Sequence, residues 1–203
     1  MASALTLVTP PAATAIVWTD EVESHLRLDG LTTEKTRVEA IVIPAAVAWA
    51  ETLTGRQFIN ATWRLDLDEF PDNDVPITIP RPPLSSISSI KYYDTDGVQQ
   101  TWASTKYVVH APAGPKCRAG SVRPVYGQSY PTTRDERADA VQITFIAGYG
   151  TASTNVPALL RAAMLLVVGE MFERREQAIV GTIISDVPLA AINLAMPFLA
   201  ESA

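Results

Sequence analysis

The pattern of hydrophobic and polar positions changes period several times along the chain, and each change marks a change of structure. Residues Met1 to Val17 show no periodicity and carry Pro10 and Pro11 among small residues, which predicts an extended arm with no core of its own. From Thr19 the spacing becomes helical. Thr19 or Asp20 can cap the first turn, Asp20 and Glu21 or Glu23 suit its positive end, Val22 and Leu26 share a face, and Asp29-Gly30 ends the helix. A second helical pattern spans Thr33 to Thr54, with Val38, Ile41, Val42, Ala45, Trp49 and Leu53 three and four apart and Gly55 as its stop. Pro44 lies inside it. Proline has no N–H to donate and crowds the preceding turn, so a kink or two abutting helices are predicted there.

Beyond Gln57 the period becomes two. Trp63, Leu65 and Leu67 alternate with Arg64, Asp66 and Asp68, which places the second set on a polar, solvated strand face. Ile77 to Ile79, Ile87 to Tyr93, Val98 to Trp102, Lys106 to His110 and Val141 to Ile146 predict further strands, with Asp94-Thr95-Asp96-Gly97 as a hairpin tip. The stretch from Ala111 to Arg137 is rich in Pro, Gly, Arg and Ser without periodicity and predicts a long irregular excursion. After Gly148-Tyr149-Gly150 the helical period returns. Pro157 suits the first helical position, and Leu160, Ala163, Met164, Val167 and Met171 form a stripe that should reach Arg175.

This order predicts an α+β fold in which the two long helices pack as one core around an inserted antiparallel β region. The parts are an arm at 1–18, helical core at 19–56 and 148–185, the β region at 57–147 with its long loop at 111–137, and a tail at 186–203. The tail residues Val187, Leu189, Ile192, Leu194, Met196, Phe198 and Leu199 are too apolar to remain in water, while Pro188 and Pro197 oppose one regular helix. A docking element is expected, with its partner outside the subunit.

Composition narrows the function. Among 203 residues, 22 acidic side chains outnumber 16 basic ones, and no run of Lys or Arg forms the electrostatic footprint of a tight DNA binder. The single cysteine, Cys117, allows no intrachain disulfide and suits a reducing cytoplasm. No basic residue precedes Arg27, so the secretory pattern is missing, and the apolar run Ala40 to Ala50 contains Pro44 and is far shorter than the roughly 20 residues of a membrane span.

No set of residues converges on chemistry. His25 and His110 fall in different elements, so a metal site is not expected, and Cys117 has no paired base. Asp72-Asn73-Asp74 and Asp94-Thr95-Asp96-Gly97 lack the glutamate that completes a calcium loop and read as turns. Asp66, Asp68 and Glu69 could pair as acid and base only if taken off the solvated face. Gly148-Tyr149-Gly150 lacks phosphate-loop spacing, and Glu170, Glu173, Arg174, Arg175 and Glu176 read as a solvated helix end. The expectation is no enzyme, no catalytic residue, no metal and no cofactor. Two competing readings are a β-rich tail or receptor-binding module and a small hydrolase using carboxylates of the β region.

Several motifs in fixed order carry a resemblance. They are Leu7-Val8-Thr9-Pro10-Pro11, His25-Leu26-Arg27-Leu28-Asp29, Glu51-Thr52-Leu53-Thr54-Gly55-Arg56, Thr62-Trp63 and Leu67-Asp68-Glu69-Phe70-Pro71. Ile79-Pro80-Arg81-Pro82-Pro83-Leu84, Ile90-Lys91-Tyr92-Tyr93-Asp94-Thr95-Asp96-Gly97, Phe145-Ile146-Ala147-Gly148-Tyr149-Gly150, Val156-Pro157 and Glu170-Met171-Phe172-Glu173-Arg174-Arg175-Glu176 continue it. Together they resemble the head-tail connector adaptors of tailed phages, the group labelled gp6-like or phiE125 gp8-like. Pro44 and the length of 111–137 depart from that pattern. The resemblance implies a structural head-completion protein of a virion or phage-like particle, assembled in the bacterial cytoplasm. It implies a homo-oligomeric ring, dodecameric on the portal protein, that joins the portal to a stopper or other tail-proximal protein. DNA would pass through the central channel without specific binding, and the C-terminal segment would dock on the portal.

Overall fold

The computed structural model describes residues 3–12, 19–28, 32–72, 75–173 and 188–200. The architecture is α+β, with a helical body and two antiparallel sheets.

The helical body begins with α1 (Thr19–Leu26), which ends where Arg27 takes a left-handed conformation at φ 54°. Helix α2 (Thr32–Arg37) runs through a π-helical turn (Val38–Val42) into α3 (Ile43–Thr54), so the long pattern does split beside Pro44. The cause is local. Pro44 has no N–H to donate, and the widened turn just before it lets the Ile43 N–H reach the Val38 carbonyl. Gly55, left-handed at φ 67°, closes α3 by donating to the Glu51 carbonyl. Helix α4 (Ala158–Glu173) packs against α3 and α1. The core between them contains Val22, Val42, Ala46, Ala50, Leu160, Met164, Val167 and Val168, joined by Phe58 and Val156.

Between α3 and α4 lie β2 (Ala61–Leu67), β3 (Ile77–Ile79), β4 (Leu84–Tyr93), β5 (Gln99–Thr101), β6 (Tyr107–His110), β7 (Gly120–Pro124) and β8 (Val141–Ala147). With β1 (Ser3–Thr9) they form a five-stranded sheet ordered β1-β2-β8-β4-β5 and a three-stranded sheet ordered β3-β7-β6. The inward residues of β8, namely Val141, Ile143, Phe145 and Ala147, meet Ile77, Ile79 and Val122 of the smaller sheet in a second core. Phe70 closes that core, stacked on Tyr130 at 5.2 Å and edge-on to Trp102 at 5.5 Å. The Tyr130 hydroxyl donates to main-chain carbonyls, with Val75 at 3.0 Å and Val122 at 3.2 Å, so its buried oxygen is not orphaned.

Four expectations change. The N-terminal arm is a strand, because Ser3-Ala4-Leu5-Thr6-Leu7-Val8-Thr9 is rich in β-formers and can hydrogen-bond along β2 from Ser3↔Leu67 to Thr9↔Thr62. The excursion at 111–137 contains β7, whose short Gly120-Ser121-Val122 run is hidden among turn residues. Asp66 is buried at 6% exposure, because its strand lies between β1 and β8, and Arg64 Nε reaches its carboxylate at 2.9 Å. The fourth change concerns the tail. Residues Leu189–Ala195 form α5, which packs on α4, and Ala191, Ala195 and Phe198 are buried in their own subunit's core. The prolines do not prevent this. Pro188 precedes α5 and Pro197 follows it, inside a closing 3-10 turn (Met196–Phe198), so seven residues between them can be helical.

Candidate functional site

The described residues bring no catalytic or metal-binding set together. No group of three or more His, Cys, Asp or Glu among them could hold a metal ion. His25 is exposed on α1 beside Gly169, and His110 is exposed at the end of β6. Cys117 is buried and lies 3.7 Å from Arg56 Nη1, its sulfur accepting a weak hydrogen bond. Asp94 accepts from the amides of Asp96 and Val98 and from Gln100 Nε2 at 2.9 Å, and these bonds, that from Gln100 foremost, hold its carboxyl below the usual value. That is the chemistry of a tight turn. In the other calcium-like stretch, Asp72-Asn73-Asp74, Asn73 and Asp74 lie outside the described residues, as do Arg174, Arg175 and Glu176 of the charge run.

Gly148 and Gly150 serve the turn between β8 and α4. A Cβ on Gly148, at φ 139°, would sit 2.5 Å from the Asn60 nitrogen. Tyr149 between them donates its hydroxyl to the Pro115 carbonyl at 2.7 Å, and burial pushes its pKa up to about 12.

Sequence reasoning missed the joint between helical body and sheets. Glu51 Oε1 accepts from Gln57 Nε2 and from the Phe58 amide, both at 2.8 Å, and burial raises its carboxyl above the ordinary range. Gln57 in turn accepts from Trp63 Nε1 at 3.0 Å, and the Arg81 guanidinium lies over the Trp63 ring at 4.8 Å. These groups line a groove of about 300 Å³, shared with Leu7, Pro44 and Val47. A larger cavity of about 590 Å³, bounded by Leu65, Leu67, Pro71, Ile77, Pro80 and Pro82, has no carboxylate in its wall. The hydrolase reading therefore finds no paired carboxylates in either hollow.

The surface offers more. Of the tail residues singled out above, Phe198 is 2% exposed and Ile192 and Leu194 are half-buried, whereas Leu189 (70%), Met196 (55%) and Leu199 (46%) face solvent; Val187 lies outside the described residues. Leu189 opens α5, Met196 lies in the 3-10 turn that closes it and Leu199 follows that turn.

No protein-family model matches the chain, and no curated protein does. Solved structures do. A chain from the virion of a native gene transfer agent particle superposes with a TM-score of 0.75 at 22% identity, covering 98% of this chain and 96% of that one. The fold is shared with particle neck chains. One comes from the neck of the empty gene transfer agent particle computed with sixfold symmetry, at TM-score 0.75 and 21% identity, covering 98% of this chain and 97% of that one. Another comes from the neck of the native particle computed with twelvefold symmetry, at TM-score 0.75 and 19% identity, with the same coverage. Correspondence over nearly the full length of both chains takes in the helical body, both sheets and the tail alike.

Proposed function

We propose that this chain is a structural adaptor of the neck of a phage-like particle, forming a ring beneath the portal, joining it to a stopper or other tail-proximal protein, and letting DNA pass. The observation that carries the reading is the end-to-end likeness, 98% of this chain at a TM-score of 0.75, to chains of particle necks. The ordered motifs of the connector adaptors support it independently. The net charge of −6 suits a conduit, since a wall that repels phosphate does not hold the DNA that slides past it. The role is one of assembly without catalysis, in a virion neck put together in the bacterial cytoplasm.

In this reading the exposed part of the tail, Leu189, Met196 and Leu199, is the portal-docking element, while Phe198 anchors it to the subunit. The test is electron microscopy of the protein mixed with its own portal. An added ring at the portal's narrow end is the expected result; portals that stay bare at saturating protein would refute the proposal.

A further inference from the structure

Charge is segregated along this chain. Between Gly97 and Thr133 lie four of the 16 basic side chains, Lys106, Lys116, Arg118 and Arg123, and none of the 22 acidic ones. The strand pairing gathers part of this charge on one face. Val108 of β6 stands opposite Arg123 of β7, so both project from the outer side of the small sheet, and the Val125 amide bonds to the Lys106 carbonyl, bringing Lys106 beside the turn that carries Tyr126. Lys106, Val108, Arg123 and Tyr126 are all exposed, the tyrosine completely.

The opposite sign predominates at the tip of the β4–β5 hairpin, where Asp96, Asp135 and Glu136 outnumber the one exposed guanidinium beside them, Arg134, while Arg137 lies over Tyr93 and is paired with Asp139. The Arg134 amide bonds to the Tyr93 carbonyl, and Arg134 reaches Gly97, which brings Asp135 and Glu136 to the hairpin tip that holds Asp96. These three carboxylates are exposed. In the helical body, by contrast, charges are mated within the subunit, as in Lys35–Glu23, Arg37–Glu34 and Arg161–Glu21. Among the described residues, Lys106 and Arg123 on one surface and Asp96, Asp135 and Glu136 on the other make no ion pair.

We infer that the basic face of the small sheet docks on the acidic hairpin tip of a second copy of this chain, forming the head-to-tail contact that closes the ring. Two different patches of one chain that complement each other produce a heterologous interface, the kind that generates rings. The aromatic Tyr126 and apolar Val108 supply contact area, and the charges set partner and register. The inference rests on the ring proposed above.

The test reverses each patch and then both, reading ring occupancy on portals by electron microscopy. K106E/R123E and D135K/E136K should each lower occupancy by about tenfold, and the chain carrying all four changes should recover most of it. Circular dichroism establishes that each variant folds; should a reversal fail to fold, K106Q/R123Q is read in its place, with a smaller loss in the same direction. Full rings with either reversal overturn the inference and leave the adaptor reading standing. Full rings that lose only their hold on DNA also overturn it, and assign the basic face to nucleic acid. Wild-type protein that forms no ring on portals removes the adaptor reading and this inference with it.

Discussion

Arg56, 2% exposed behind the end of α3, donates its Nε–H to the carbonyl of Phe198, 142 residues further along the chain. The Ala200 amide reinforces the link by bonding to the Thr54 carbonyl at 2.7 Å, and Lys116 lies over the Phe198 ring at 5.7 Å. The buried Arg56 guanidinium thus helps to hold the end of the tail, and it also meets the Cys117 thiol and the Tyr149 hydroxyl. Arg56→Leu removes the donor and leaves the Phe198 carbonyl unpaired in the interior. A loss of about 2 kcal/mol is expected, since a hydrogen bond to a charged group contributes roughly 1.5 to 3 kcal/mol. Urea unfolding measures it, and a loss under about 0.5 kcal/mol would contradict this account.

The two sides of the tail should separate energetically. Phe198→Ala empties a buried site and should cost roughly 3 to 5 kcal/mol, whereas Leu189→Ser on the solvent side should stay within about 0.5 kcal/mol. Deleting 188–203 should likewise lower the melting temperature, because Ala191, Ala195 and Phe198 leave the core with it. An unchanged melting curve after that deletion would show the tail to be dispensable to the fold.

If the tail docks on the portal as proposed, its exposed side makes the contact. Replacing Leu189, Met196 and Leu199 together by Ser should leave the melting transition in place and abolish co-purification with the portal. Retained binding would move the docking surface to the N-terminal strand or to the loops at 111–137.

Glu51 makes stability depend on pH in a direction that can be worked out. Burial raises its folded pKa above the ordinary 4.5, so between the two values the folded state holds a proton that the unfolded state has lost. Stability therefore falls as pH rises through that window and stays lower above it. Glu51→Gln keeps an acceptor for the Gln57 and Phe58 donors and removes the buried charge. Its melting temperature should be at least that of the wild type at pH 7, with a flatter profile from pH 4.5 upward. Glu51→Ala, which orphans both donors, should lose about 1 to 3 kcal/mol. A glutamine variant that melts well below wild type at pH 7 would show that the carboxylate itself is needed.

Gly148→Ala tests the turn below the sheet. Its Cβ would meet the Asn60 backbone, which cannot swing aside as a long side chain can, and the glycine's φ of 139° is strained for any other residue. A loss of at least about 2 kcal/mol is expected on thermal unfolding, from strain of this type together with the clash.

Much of this fold was legible because period follows burial. Trp63, Leu65 and Leu67 alternate as a strand should, and Leu160, Ala163, Met164 and Val167 mark the buried side of α4. What escaped depends on contacts distant in sequence. Asp66 reads as solvated until β1 and β8 flank its strand, and nothing local to Ser3–Thr9 says that β2 awaits it. Glu51 and Arg56 look like ordinary surface charges at a helix end, and only the neighbouring sheet and tail make Arg56 interior and Glu51 partly buried. The tail misled for a related reason. Its apolar count called for a partner, but the spacing of Ala191, Ala195 and Phe198 shows one buried side, and the seven residues of α5, set between the prolines, were enough to present it to α4.

The insertion of seven strands between α3 and α4 also sets an order of events during synthesis. The apolar side of α3 leaves the ribosome about a hundred residues before α4, the helix that covers it. At bacterial elongation rates of roughly 5 to 20 residues per second, that surface waits about 5 to 20 seconds for its cover. The sheets can form in the interval, since their pairings lie within the inserted segment and its upstream strand. Overproduced in a host with few free chaperones, the nascent chain should aggregate through α3.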